Sequence, residues 1–318
     1  MDLVITIDTE EDNWNRYSAT DNPTTNIERI VSLQKLFDEY DVRPTYLITY
    51  PVATNPRAIN VLKRILEEGK CEIGTHCHPW NTPPFDANAL IRKQDTMLCN
   101  LPESVVLDKL TTLHETIYRN FGIAPVSFRA GRWGFGPVVA RALCLLGYRV
   151  DSSVMPYTDW RPNFGPDYSE FGPASFRFDA EGIHCKMENG RLLEVPQTVG
   201  FLQRNFSLTY RIWRLLEIDI SKRFHFRGVM DCLGLINKVT LSPELENTHT
   251  LIQLSQRMVK NKYSCLNYTF HSSSLLSGLS PFVRTLGDEL IFHEKIKEFL
   301  VFVNKQGWSS KTLSQVYY

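Results

Sequence analysis

His76 and His78 stand two residues apart in the run Glu72-Ile73-Gly74-Thr75-His76-Cys77-His78-Pro79-Trp80. In an extended chain, side chains at i and i+2 point the same way. Both imidazoles would then face one spot, as a metal ion requires, and Cys77 between them would face the other way. Pro79 biases the residue before it towards extended geometry and keeps a helix from absorbing the pair. A lone His-x-His is a short pattern that fits a decorated loop as well as a metal site. Near the start of the chain the same spacing recurs in acids. Asp8 and Glu10 follow the apolar run Leu3 to Ile7, with Glu11, Asp12 and Trp14 just beyond. Single loop acids are commonly solvated, and Glu11 and Asp12 read that way, with either able to replace Glu10 if the loop curls. Asp8 and Glu10 at i and i+2 can both turn into a pocket. Arg129, Asp151 and His271 belong to three further short apolar runs, the first and last at their ends.

The elements that must position these groups alternate. Strands are expected over Leu3–Ile7, Val42–Tyr50, Cys71–Gly74, Pro125–Arg129, Arg149–Val154, Leu192–Pro196 and Cys265–Phe270. Helical periodicity marks Ile27–Tyr40, Pro56–Glu68, Leu90–Asn100, Pro102–Phe121, Pro137–Leu146 and Glu289–Gln306. Another helix is expected from Ser242-Pro243-Glu244, with proline just inside its start, to about Lys260. This order predicts an α/β fold with parallel strands and crossover helices. In an α/β barrel the strand C-termini converge on one face, where catalytic groups collect. One polar strand end is unremarkable; this many argue for a site. The expected organisation is one barrel domain over residues 1–318. It carries a Pro-, Gly- and aromatic-rich, lid-like excursion at 155–190 and a basic, aromatic, helical insertion at 203–240. The insertion, which includes Tyr210, Arg211, Trp213, Arg214, Lys222, Arg223 and Phe224, reads first as helices packed on the same domain and second as a contact for a membrane or partner.

Five segments together resemble the polysaccharide deacetylase family, the NodB-homology group of carbohydrate esterases. They are Thr6-Ile-Asp-Thr-Glu-Glu-Asp-Asn-Trp14, Glu72-Ile-Gly-Thr-His-Cys-His-Pro79, Phe128-Arg-Ala-Gly-Arg-Trp133, Val150-Asp-Ser-Ser153 and Tyr268-Thr-Phe-His-Ser-Ser273. They occur in the family's order and span nearly the whole chain. The resemblance implies a distorted (β/α) barrel of about seven strands. It also implies a divalent metal, usually zinc, and hydrolytic removal of N-acetyl groups from amino sugars. By that resemblance Asp8 is the catalytic base, Glu10 a metal carboxylate, His76 the first metal histidine and Arg129 the group that orients the base. His271 is the general acid, and Asp151 lies in the motif that in relatives tethers this histidine. The family places its second metal histidine four residues after the first. Here Trp80 stands at that position, so His78 is assigned as the ligand from a reshaped loop, an altered ligand set being the alternative. Trp14, Trp80 and Trp133 follow the motifs closely, either as platforms for a sugar ring or as walls.

Composition narrows the partners. Of 318 residues, 43% are hydrophobic and 22% charged, ordinary values for a globular chain. Lysine and arginine total 35, as do aspartate and glutamate, so no basic excess points to nucleic acid. Seven cysteines lie dispersed with no Cys-x-x-Cys pair, which predicts free thiols in a reducing compartment. The opening Met-Asp-Leu-Val-Ile-Thr-Ile-Asp lacks the basic start and long apolar core of a signal peptide. No run of 18 apolar residues predicts a spanning helix. The expected setting is the cytoplasm. The expected substrate is an N-acetylated sugar or glycan intermediate, such as a nucleotide- or lipid-linked precursor of a surface polysaccharide. Two other readings stay open: a non-catalytic carbohydrate-binding barrel, and a metal-dependent hydrolase of a different amide.

Overall fold

The computed structural model describes residues 1–14, 16–85, 91–215 and 236–318. Its strands are β1 (Asp2–Thr9), β2 (Thr45–Ile48), β3 (Glu72–Cys77), β4 (Ser127–Ala130), β5 (Val150–Asp151), β6 (Phe176–Phe178), β7 (Leu192–Glu194), β8 (Val199–Phe201), β9 (Lys238–Thr240), β10 (Cys265–His271) and β11 (Ser309–Lys311). The helices are α1 (Ile30–Glu39), α2 (Tyr50–Thr54), α3 (Pro56–Glu67), α4 (Glu103–Phe121), α5 (Pro137–Leu145), α6 (Phe206–Leu215), α7 (Thr248–Lys260), α8 (Leu286–Lys305) and α9 (Leu313–Val316).

Seven strands pair in parallel in the order β10-β1-β2-β3-β4-β5-β7, forming a curled sheet. These are the seven expected from the sequence. β11 fills the space beside the first half of β1, before β2 begins to pair at Thr6. β6 adds antiparallel to β7 at one edge. The gap between β7 and β10 is bridged by Asn267 and Thr198. Asn267 donates its backbone N–H to Thr198 Oγ1 at 2.8 Å, and Thr198 N–H donates to the Asn267 carbonyl at 3.3 Å. β8 and β9 form a separate hairpin beside this seam.

Alternation within the strands builds two cores and a graded barrel interior. Outward residues such as Leu3, Ile5, Ile7, Tyr46, Ile73 and Phe128 pack under the helices in the large apolar cluster. Inward, Val4, Leu47, Val150, Leu193, Val195 and Leu313 plug the bottom of the barrel. Burying each such side chain contributes about 1.5–3 kcal/mol. Above the plug lie Thr6, Arg129, Ser152, Asn267 and Thr269, all linked by hydrogen bonds. The strand ends carrying Asp8, His76 and His271 sit above that layer.

Several expected boundaries move. The helix expected from Ser242 starts at Thr248, because Asn247 Oδ1 accepts the Thr250 N–H and caps it there. Ser242 to Glu246 is instead a turn at the barrel mouth. The helix expected over Leu90–Asn100 is two single turns of 3-10 helix, Lys93–Thr96 and Leu98–Asn100, with Leu90 outside the described residues. The expected strand Arg149–Val154 shortens to Val150–Asp151, since the hydroxyls of Ser152 and Ser153 bond across to the Val195 carbonyl and the Ala130 N–H. Of the insertion, α6 buries Phe206 and Trp213 against the domain; Lys222, Arg223 and Phe224 lie outside the described residues. No helix among the described residues is long and apolar enough to cross a membrane.

Candidate active site

β3 delivers the two histidines as their spacing requires. His76 and His78 are 3% and 5% exposed, and their Nε2 atoms lie 3.0 Å apart. Glu10 Oε2, from the end of β1, is 3.4 Å from His78 Nε2 and 3.8 Å from His76 Nε2. Glu10 is pinned by its backbone: its N–H donates to Ser272 Oγ, and its carbonyl accepts from Asn26. Cys77 points away into the outer core, and burial pushes its thiol up to about 12.

The other ring nitrogens define what the three residues can hold. His76 Nδ1 faces the Arg129 carbonyl at 3.1 Å, and a carbonyl only accepts, so Nδ1 carries the proton. His78 Nδ1 faces the Glu11 carboxylate at 3.1 Å and donates to it in the same way. Both Nε2 atoms are then left with inward lone pairs beside a carboxylate oxygen. Two such lone pairs 3.0 Å apart repel unless a cation or a proton lies between them. Mutual distances within 4.8 Å and this donor set fit a divalent ion bound by Glu10, His76 and His78. Imidazoles held through their second nitrogen are the usual supports of such an ion.

Glu11 is therefore no solvated loop acid. It is buried, accepting from His78, from Asn81 at 2.7 Å and from Thr49 at 3.1 Å. Burial alone would raise its carboxyl, but the charge and hydrogen bond of His78, with the hydrogen bond from Thr49, bring it below the ordinary range. Asp12 is also structural. Its carboxylate accepts from Thr25 and Asn26 and holds the turn ahead of α1.

Asp8 lies opposite the triad. Burial pushes its pKa up, but Arg129, His76 and His271 bring it down to about 2 overall. Arg129 is 1% exposed and uses all five of its N–H donors. Nη1 reaches Asp8 Oδ1 at 2.6 Å and Thr269 Oγ1 at 3.1 Å. Nη2 reaches Thr6 Oγ1 and Ser152 Oγ, and Nε reaches the Ser152 carbonyl. The guanidinium is thus fixed from β1, β10 and the segment just after β5, and in turn fixes Asp8. His271 Nε2 stands 3.8 Å from Asp8 Oδ2.

The partner of His271 corrects the sequence reading. Glu244, not Asp151, holds its Nδ1, at 3.0 Å, and also accepts the His271 backbone N–H. Burial opposes charge on this ring, but Glu244, Glu10 and Asp8 raise its pKa to about 10. Asp151 cannot serve. Val150 and Ser152 face the barrel interior, so the residue between them faces out. There Asp151 meets Glu194, its register partner across β5 and β7, and accepts from Ser153. Nothing in the sequence marks Glu244, 27 residues before His271 and within a segment that reads as a helix start.

The groups open into a pocket of about 440 Å³, sized for a small ligand. All three expected tryptophans line it. Trp80 stacks on His78, with centroids 4.1 Å apart, and is 7% exposed, so it acts as the wall that sets the imidazole. Trp14 meets His271 edge-on at 4.8 Å. Trp133 stacks face to face on Trp160 at 4.4 Å, and the 155–190 excursion thereby contributes Met155, Trp160 and Asn163 to the wall.

The curled parallel (β/α) sheet is the fold of solved structures described as polysaccharide deacetylases, the NodB type of carbohydrate esterase fold. The chain aligns over 99% of its length with 88% of a Mycobacterium smegmatis protein assigned as a polysaccharide deacetylase, at 14% identity and a TM-score of 0.55. It aligns over 99% with 69% of a Parabacteroides distasonis protein assigned as a glycoside hydrolase/deacetylase, at 12% identity and a TM-score of 0.55. It aligns over 99% with 88% of Puue allantoinase, at 11% identity and a TM-score of 0.51. No family model and no curated protein matches the sequence.

Proposed function

We propose that this protein is a metal-dependent hydrolase that removes the N-acetyl group of an amino sugar. The observation that carries the reading is the convergence of His76 Nε2, His78 Nε2 and Glu10 Oε2 on one point, facing the Asp8 carboxylate and the His271 ring. Amide hydrolysis needs a base for the attacking water, charge stabilisation for the tetrahedral oxyanion and an acid for the departing amine. Glu10, His76 and His78 would hold the ion, and the donor set suits zinc. A divalent cation there would polarise the acetamide carbonyl and acidify a water, which a carboxylate held as low as Asp8 needs in order to act as a base.

Asp8 takes the water proton on Oδ2, because Oδ1 is committed to Arg129. Arg129 keeps that carboxylate ionised and fixed. A positioned base of this kind contributes roughly 100-fold or more. His271 carries the proton for the leaving amine on Nε2, since Nδ1 is tied to Glu244. Trp14 and the stacked Trp133 and Trp160 offer apolar faces to a pyranose ring. A precursor of a surface polysaccharide, handled in the cytoplasm, suits the free thiols of Cys71, Cys77, Cys99, Cys144, Cys185 and Cys265. Acetate release from a panel of N-acetyl sugars, with zinc added and then chelated, tests the reading. Metal-dependent release from at least one sugar is expected; none from any would overturn it.

A further inference from the structure

The loop after β4 spends conformational energy on two side chains. Gly131 packs so closely that a Cβ there would stand 2.4 Å from His78 Cδ2. The next two residues, Arg132 and Trp133, both adopt left-handed backbone, with φ of +53° and +57°. Each costs about 1 kcal/mol or more for a non-glycine residue. Glycine or asparagine would take these positions more easily. The loop instead presents a guanidinium and an indole, and both line the pocket.

Arg132 lies with Cζ 5.4 Å over the ring of Tyr17. Tyr17 meets Trp80 edge-on at 4.9 Å, and Trp80 stacks on His78. The guanidinium is thus two aromatic rings removed from the triad. Its Nη1 donates to Thr96 Oγ1 and faces the Lys93 carbonyl at 3.5 Å. No carboxylate among the described residues pairs with it. Lys93 stands at the same corner, its Nζ 3.4 Å from Oδ1 of the pocket residue Asn163, likewise with no acid partner among the described residues. Neighbouring cations are neutralised: Arg92 by Asp95, and Arg161 by Asp159 and Asp167. The pocket is therefore polarised. Its acids, Asp8, Glu10, Glu11 and Glu244, sit around the triad and His271, while Arg132 in the wall towards Tyr17, and Lys93 behind Asn163, have no acid partner among the described residues. A neutral sugar has no use for them.

We propose that Arg132, assisted by Lys93, binds an anionic group of the substrate, a phosphate or a carboxylate, and so selects a charged acetamido sugar over a neutral one. The proposal rests on the deacetylase reading above. A planar, half-buried guanidinium suits bidentate recognition of either anion.

The test compares acetate release from N-acetylglucosamine, its 1-phosphate, its uridine diphosphate conjugate and N-acetylglucosaminuronic acid at matched ionic strength. The wild type should prefer an anionic member, and the phosphate and carboxylate arms tell the two sources apart. In Arg132→Gln the ratio of kcat/KM for that substrate over the neutral sugar should fall about ten- to a hundredfold, mainly through KM. Lys93→Gln, at an exposed position, should lower the ratio less, and serves if the first variant fails to fold. Equal use of charged and neutral sugars by the wild type, or an unchanged ratio in both variants, overturns the proposal. Calorimetric titration with glucosamine 1-phosphate and with glucosamine needs no turnover. If no sugar releases acetate, the deacetylase reading fails, and the anion proposal is decided there. Tighter wild-type binding of the phosphate, weakened in Arg132→Gln, supports it; equal binding in the two proteins overturns it.

Discussion

Glu244 sets the charge of His271, and the pH profile should report it. Burial works against a cationic ring; Glu244, through charge and hydrogen bonding, leads the groups that together overcome burial and raise the pKa to about 10, with Glu10 and Asp8 adding to it. Neutralising it in Glu244→Gln lowers that pKa, so the acid is lost at lower pH. The alkaline limb of kcat against pH should move towards neutrality, with kcat falling at pH 8 far more than at pH 6. An unshifted limb would remove Glu244 from the proton path. On the other side of the site, Asp8→Asn should cut kcat at least about 100-fold while metal content, measured by mass spectrometry, stays near one per chain. Near-normal turnover in that variant would displace Asp8 as the base. At this scale the sequence was half legible. The i, i+2 spacing singled out Asp8, Glu10, His76 and His78 because a strand turns that spacing into a shared direction. It could not rank the four neighbouring acids: Glu11 and Asp12 look alike in the sequence, and only the fold puts one under His78 and the other at a turn.

At the level of elements, the strand pair β5–β7 carries a hidden titration. Asp151 and Glu194 face each other outside the barrel, both fully buried, and neither Asp151 Oδ2 nor Glu194 Oε2 has a further hydrogen-bond partner among the described residues. Burial raises Asp151 to about 6 and, together with the charge of Asp151, puts Glu194 well above its ordinary range. A carboxyl whose pKa is raised by folding keeps its proton in the native state after the unfolded chain has lost it. Stability should therefore fall as pH rises from about 4 to 6 through Asp151, with Glu194 carrying the fall higher. Glu194→Gln keeps the shape and removes one ionisation, so urea midpoints at pH 5 and pH 8 should draw together; an unchanged gap would sink the assignment. The two-residue strand explains why the sequence alone does not show this pair. A run of Arg149 to Val154 reads as one strand, and the periodicity that assigns Asp151 to the outer face needs the register with β7, which no local pattern contains. The seven strands themselves were legible because each is a β-branched or apolar run between helical periods. Glu244 was not, because Asn247 ends the turn and starts the helix later than the Ser-Pro-Glu signal suggests.

For the whole molecule, the proposed metal site is a long-range staple. Glu10 and the two histidines are more than 60 residues apart in sequence and come from β1 and β3, two strands separated by β2. They meet only when the sheet curls, and the Asn267–Thr198 seam and the bonds of Arg129 to Asp8, Thr6, Ser152 and Thr269 hold that curl. An ion that binds the folded barrel and not the open chain stabilises the fold by mass action, about 2.7 kcal/mol when present at 100 times its Kd. For a domain of this size that is a rise in Tm of several degrees. Zinc titrated into chelator-treated protein should produce the rise, and chelator should reverse it. His76→Ala should abolish the zinc-dependent part, because two ligands cannot replace three. Asp8→Asn, which leaves the triad intact, should keep it. A zinc shift that survives His76→Ala would place the ion elsewhere, and the proposed hydrolytic centre would have to be abandoned even if the barrel stood unchanged.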